Sequence, residues 1–96
     1  MATSVLATLV SPEGRRDDVL AALADLRAAA TEHEPGTLLF MINEHRDEPG
    51  TFSVFETYAD QDAVDAHRGS EAMARFRVAL TDLGLRPTLV FMTPVE

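Results

Sequence analysis

A ferredoxin-like α+β fold, with β-α-β-β-α-β order and a four-stranded antiparallel sheet carrying helices on one face, is predicted by three observations. The hydrophobic period alternates between strand-like and helix-like stretches in that order. The two middle strands are separated only by Arg46-Asp47-Glu48-Pro49-Gly50. The strands are apolar on both faces, as in a sheet that is covered on both sides. With 96 residues and no linker-like run, one domain spanning 1–96 is expected.

Thr3 to Val10 is β-branched and apolar, and Ser11-Pro12-Glu13-Gly14 stops it, which gives an opening strand and a turn. From Arg15 to His33 the period becomes helical, with Val19, Leu20, Leu23, Leu26 and Ala30 on one face. Asp17 and Asp18 favour the helix start, and Glu34-Pro35-Gly36 ends it. Thr37 to His45 and Thr51 to Tyr58 form an antiparallel hairpin. Asp60 caps a short helix to about His67, which Gly69-Ser70 separates from a second run striped by Met73, Phe76, Leu80 and Leu83. Gly84 stops that run, and Leu85 to Glu96 is the predicted last strand.

Strand two offers Leu38, Phe40 and Ile42 to one face and Leu39 and Met41 to the other. The last strand offers Leu89 and Phe91 against Val90 and Met92. Helices cover only one side of such a sheet, so the other face calls for a second copy and a homodimer with its sheets face to face.

Net charge is -8 and the eight basic residues, all arginine, are scattered, which argues against nucleic acid and anionic membranes as partners. The absence of cysteine excludes disulfides, thiolate nucleophiles and thiolate metal sites. The stretch MATSVLATLVSPEG has no basic n-region and no segment is a long apolar span, so a cytoplasmic protein is expected. His33, His45 and His67 match no metal-binding spacing, and no dinucleotide, phosphate-binding or nucleophile-elbow motif occurs. No cofactor and no metal are expected.

His67 is the leading candidate for chemistry. It follows Val64 and Ala63 by three and four positions, on their inward face, where an imidazole can serve as general base or hydrogen-bond donor. The plainer alternative is a histidine satisfied by a carbonyl or carboxylate. Glu56 shares a strand face with Phe52, Val54 and Tyr58 and needs a partner. Its expected role is a structural ion pair or hydrogen bond at the dimer seam, with catalysis as the alternative. Asn43 and His45 share a face near the end of strand two and are read either as reaching a pocket mouth or as solvated edge residues. Phe40, Phe52, Phe55, Phe76 and Phe91 are core residues, some of which can line an apolar cavity.

Glu34-Pro35-Gly36-Thr37-Leu38, Phe55-Glu56-Thr57-Tyr58-Ala59-Asp60 and Ala66-His67-Arg68-Gly69-Ser70, set in the βαββαβ order, resemble the antibiotic biosynthesis monooxygenase family of small dimeric α+β barrels. The resemblance implies a homodimer and oxygenation of a small phenol- or quinol-like aromatic without metal or flavin. It implies His67 as the polar group facing substrate, Tyr58 and Asn43 as orienting donors and Glu56 as support; of the phenylalanines, Phe40, Phe55 and Phe76 are the ones expected around the substrate. The haem-degrading branch of that family has a tryptophan at the position of His67. It also has a histidine where this chain has Arg77, and a first-strand asparagine where this chain has Ala7 and Thr8, which argues against haem degradation. The alternatives carried beside the monooxygenase are a small-metabolite isomerase of the same fold and a non-catalytic dimeric binding or stress-response module.

Overall fold

The computed structural model describes residues 2–95. In chain order it contains β1 (Thr3–Val10), α1 (Arg16–His33), β2 (Thr37–Glu44), β3 (Thr51–Tyr58), α2 (Gln61–Arg68), α3 (Glu71–Leu83) and β4 (Thr88–Met92). The strands form one sheet in the order β2-β3-β1-β4, with every neighbouring pair antiparallel. This is the expected ferredoxin-like arrangement, with the second helical position divided into α2 and α3.

Alternation along β1 and β3 builds the core. Val5, Ala7 and Leu9 on β1 and Phe52 and Val54 on β3 are buried on the helix-facing side. Val19, Leu23 and Leu26 of α1, with Ala72, Phe76 and Leu80 of α3, pack onto Ala7, Leu9, Phe52 and Val54 at helical spacing, while Val5 packs with Tyr58 and Val64. Arg16 and Glu44 clasp α1 to the end of β2 with bonds of 3.0 and 2.7 Å, and Glu44 Oε2 also accepts the Gly50 N–H at 2.9 Å. Arg16 thereby fixes where α1 starts above the hairpin.

Capping explains the α2–α3 break. The Asp60 side chain accepts the Ala63 N–H at 2.8 Å, as its residue type predicts. Ser70 Oγ donates to the His67 carbonyl at 2.8 Å and accepts the Met73 N–H at 3.1 Å, so one hydroxyl finishes α2 and starts α3. Gly84 ends α3 with φ 68, a left-handed conformation that glycine adopts without a Cβ penalty.

Two expectations are corrected. Leu38 does not share the inward face of Phe40 and Ile42: the β2–β3 register shifts between Thr37 and Leu39, and Leu38 is left 63% exposed. The extra residue of a bulge restarts alternation, so Thr37 lies opposite Tyr58 instead. The last strand is also shorter than Leu85 to Glu96. Pro87 has no N–H to give the ladder, β4 begins only at Thr88 and ends at Met92, and Glu96 lies outside the described residues.

The outer face of the sheet is apolar, as predicted, with Leu39 37%, Met41 47% and Val90 48% exposed. Leu6 and Phe55 lie directly opposite each other on this face. No helix among the described residues is long and apolar enough to cross a membrane.

Candidate active site

Between the inner sheet face and the helices lies a cavity of about 460 Å³. Leu23, Leu26, Val54, Met73, Phe76 and Leu80 give much of its apolar wall. It opens along β4, which the helices leave uncovered: Leu89 is 49% and Phe91 52% exposed although both line the cavity.

One end of the cavity is polar, and strand alternation sets it there. Glu56 and Tyr58 continue the inward set of Phe52 and Val54, so both point toward the helices. In α2, Val64 and His67 are one turn apart and are both buried. Phe40 lies opposite Glu56 in the register, and its ring centroid is 6.2 Å from that of His67.

The hydrogen-bond order follows from what each group can donate. Glu34, just past α1, accepts the Thr37 hydroxyl at 2.9 Å and lies 2.7 Å from His67 Nδ1 through the same Oε1. A carboxylate only accepts, so Nδ1 carries the hydrogen and Nε2 is left facing inward. His67 Nε2 is 3.8 Å from Glu56 Oε1, and that oxygen accepts the Tyr58 hydroxyl. The side chains of Glu34, His67 and Glu56 are 8%, 7% and 10% exposed. The Tyr58 ring is tilted 45° to the imidazole with centroids 5.4 Å apart.

Electrostatics assigns the members different roles. Burial pushes the Glu56 carboxyl above its ordinary range, the Tyr58 hydrogen bond and His67 draw it back, and Glu34 adds a further push upward. Once ionised, Glu56 is a stronger base than a solvated carboxylate. Burial, then the charge and hydrogen bond of Glu56, push the Tyr58 phenol far up, so Tyr58 serves as a donor and not as a base. With a folded-state pKa above the unfolded value, Glu56 contributes fully below the unfolded carboxyl range and loses that contribution as pH rises through its folded pKa. Glu56→Gln is therefore expected to raise the melting temperature above neutral pH and to leave it near wild type at pH 4. Equal melting-temperature shifts at the two pH values would contradict this assignment.

Of the residues singled out from sequence, His67, Tyr58, Glu56, Phe40 and Phe76 meet at the cavity. Asn43 and Phe55 do not. In the register Asn43 is opposite Ser53 and Met41 is opposite Phe55, which places Asn43 and Phe55 with the outer set, across the sheet from Phe40 and Glu56. Asn43 Nδ2 donates instead to the Ser53 carbonyl at 3.1 Å, and His45 Nε2 is 2.7 Å from Ser53 Oγ. Glu56 is likewise not at the outer seam; it faces the cavity, bonded to Tyr58 of its own strand. Glu34 was missed because Glu34-Pro35-Gly36 already accounted for itself as a helix stop. The usable signal was an acidic residue held at that stop and in need of a partner.

An apolar cavity with an acid–imidazole–acid group at one end, roofed by helices on an antiparallel sheet, is the candidate site of this ferredoxin-like scaffold. The chain belongs to the antibiotic biosynthesis monooxygenase family, whose model matches residues 3–79. A crystal structure of a candidate antibiotic biosynthesis monooxygenase from Caulobacter crescentus CB15 superposes with a TM-score of 0.90 at 26% identity, over 99% of this chain and 91% of that one. Rv0793 from Mycobacterium tuberculosis gives 0.89 at 24% identity, over 100% and 97%. A further candidate antibiotic biosynthesis monooxygenase, from Deinococcus radiodurans, gives 0.86 at 24%, over 100% and 94%. No curated protein matches the chain.

Proposed function

We propose that this protein is a monooxygenase that oxidises a small hydroxylated aromatic, a phenol or quinol, with O₂ and without a resident cofactor. The observation that supports it is the apolar cavity of about 460 Å³ closed at one end by His67 and Glu56. A flat aromatic body fits the apolar wall, and its hydroxyl reaches the polar end.

His67 Nε2 takes the hydroxyl proton, and Glu34, acting through Nδ1, holds the ring and favours the imidazolium. Glu34 is in this sense a positioning residue. The phenolate, held against the apolar wall, passes an electron to O₂, and the resulting radicals combine at a ring carbon. That carbon gains a C–O bond and gives up its hydrogen as a proton as the O–O bond breaks. One oxygen becomes the new carbonyl, and the other leaves as water with the two hydrogens from the hydroxyl and the ring carbon. Tyr58 holds Glu56 beside the site, where Glu56 can receive the ring-carbon proton.

The experiment is oxygen consumption with a naphthoquinol or naphthol, together with its anaerobic counterpart. Product formation that needs one O₂ per turnover is expected, whereas turnover that persists without oxygen replaces this reading with an isomerase. The proposal includes a homodimer in which a second copy covers Leu39, Met41 and Val90, groups that a lone chain leaves exposed. Sedimentation at the mass of a single chain would count against the dimer.

A further inference from the structure

We infer that the cavity selects a hydroxylated aromatic that also bears an anionic group, of which a carboxylate is the simplest case. This deepens the function proposed above and rests on its reading of the cavity as the substrate site.

The cavity is lined by two kinds of charged or polar group. His67, Tyr58 and Glu56 form one set, backed by Glu34. Arg68 and Arg77 also line the cavity. Arg68 is the last residue of α2, and Arg77 lies in α3. Arg77 Nη2 donates to the Arg68 carbonyl at 2.7 Å, which ties that guanidinium to the end of α2. A guanidinium has five N–H donors, so this bond leaves most of them for a ligand.

The ion pairs point the same way. Arg15, Arg16 and Arg75 are each paired with a carboxylate. Among the described residues Arg27, Arg46, Arg68, Arg77 and Arg86 are in no such pair, and of these five only Arg68 and Arg77 line the cavity. In a chain of net charge -8 the general field repels anions, so two uncompensated guanidiniums beside an apolar cavity are a local reversal of sign. Both arginines are exposed, so a charge pair formed there is weakened by salt.

The two sets of groups favour one orientation. An anionic substituent beside Glu56 meets a like charge, whereas at Arg68 and Arg77 it meets two opposite ones. A hydroxyl, which can give up a proton, is suited to His67 Nε2. A ligand with both groups is held with its hydroxyl toward the base, and the arginines contribute positioning as well as affinity.

The test compares 2-naphthol with 6-hydroxy-2-naphthoate, which adds a carboxylate at the far end of the same ring system. The chain has no tryptophan, so the ligands' own fluorescence reports binding. The carboxylate compound is expected to bind at least about tenfold more tightly, an advantage that shrinks as salt rises to about 0.5 M. In Arg68→Gln/Arg77→Gln the two affinities are expected to converge to within about twofold. A wild-type protein that binds naphthol as well as the carboxylate overturns the inference without reference to any variant. An advantage that persists in the double variant overturns the role of the arginines. Binding of neither compound overturns the cavity reading itself, whereas tight carboxylate binding without oxygen uptake leaves the selection intact and removes only the oxygenase chemistry.

Discussion

His67→Ala is expected to reduce oxygen-dependent turnover by about a hundredfold to ten-thousandfold, the range typical of losing a positioned general base. Nε2 is the imidazole atom turned toward the cavity, and the nearest other base, Glu56 Oε1, lies 3.8 Å beyond it. Tyr58 cannot take over, because its phenol is pushed far above the ordinary range. The fold is expected to survive at a cost of about 1–3 kcal/mol, the usual penalty for removing one partner from a hydrogen bond to a charged group. Glu34 keeps the Thr37 hydroxyl and also borders the solvent-facing cleft between α1 and α2, which limits the damage. The coupling is checked by a double-mutant cycle: Glu34→Ala should cost less stability in the His67→Ala background than in wild type. Turnover within about tenfold of wild type, in a variant shown to be folded, would sink the assignment of His67 as base.

Much of this architecture was legible because the strands and helices of the chain have different periods. β1 and β3 have the bounds that composition predicts, and Asp60 and Gly84 act as the cap and stop their residue types suggest. The bulge at Leu38 was not legible: an inserted residue shifts every side chain before it to the other face, and Thr37-Leu38-Leu39 carries no glycine or proline to mark it. Asn43 and Phe55 are a different case. Their parity, odd against even for Phe40 and Glu56, already placed them across the sheet from any helix-side pocket. Glu34's need of a partner was legible, but the identity of that partner was not, since Glu34 and His67 are 33 positions apart and meet only when α2 packs against the start of β2. Charge composition was similarly blind to the two arginines on the cavity wall: Arg68 and Arg77 come together only where α2 meets α3.

Gly36→Ala is expected to damage stability and activity together, because the packing that brings Glu34 to His67 depends on a missing side chain. A Cβ built on Gly36 would sit 2.5 Å from the Ala63 Cβ and 3.4 Å from its Cα. Ala63 cannot swing away, since its Cβ is fixed to the backbone of α2. Either the helix or the start of β2 must move, and overpacking of this kind costs about 1–3 kcal/mol. His67 is one turn further along the same helix, and Glu34 lies two residues before Gly36, so their 2.7 Å contact shifts with the clash. The Gly36 carbonyl also accepts the Ala59 N–H at 2.9 Å, so the strain reaches the end of β3 just beyond Tyr58. The deciding measurement is rescue. Ala63→Gly removes the atom in the way, at a cost of about 1 kcal/mol for glycine within a helix. Gly36→Ala/Ala63→Gly should then recover most of the turnover that Gly36→Ala loses, while its melting temperature stays below wild type. A single variant that melts and turns over like wild type would mean that α2 and β2 have slack at this contact, and a double variant that stays inactive would mean that Gly36 acts through something other than the closeness of α2.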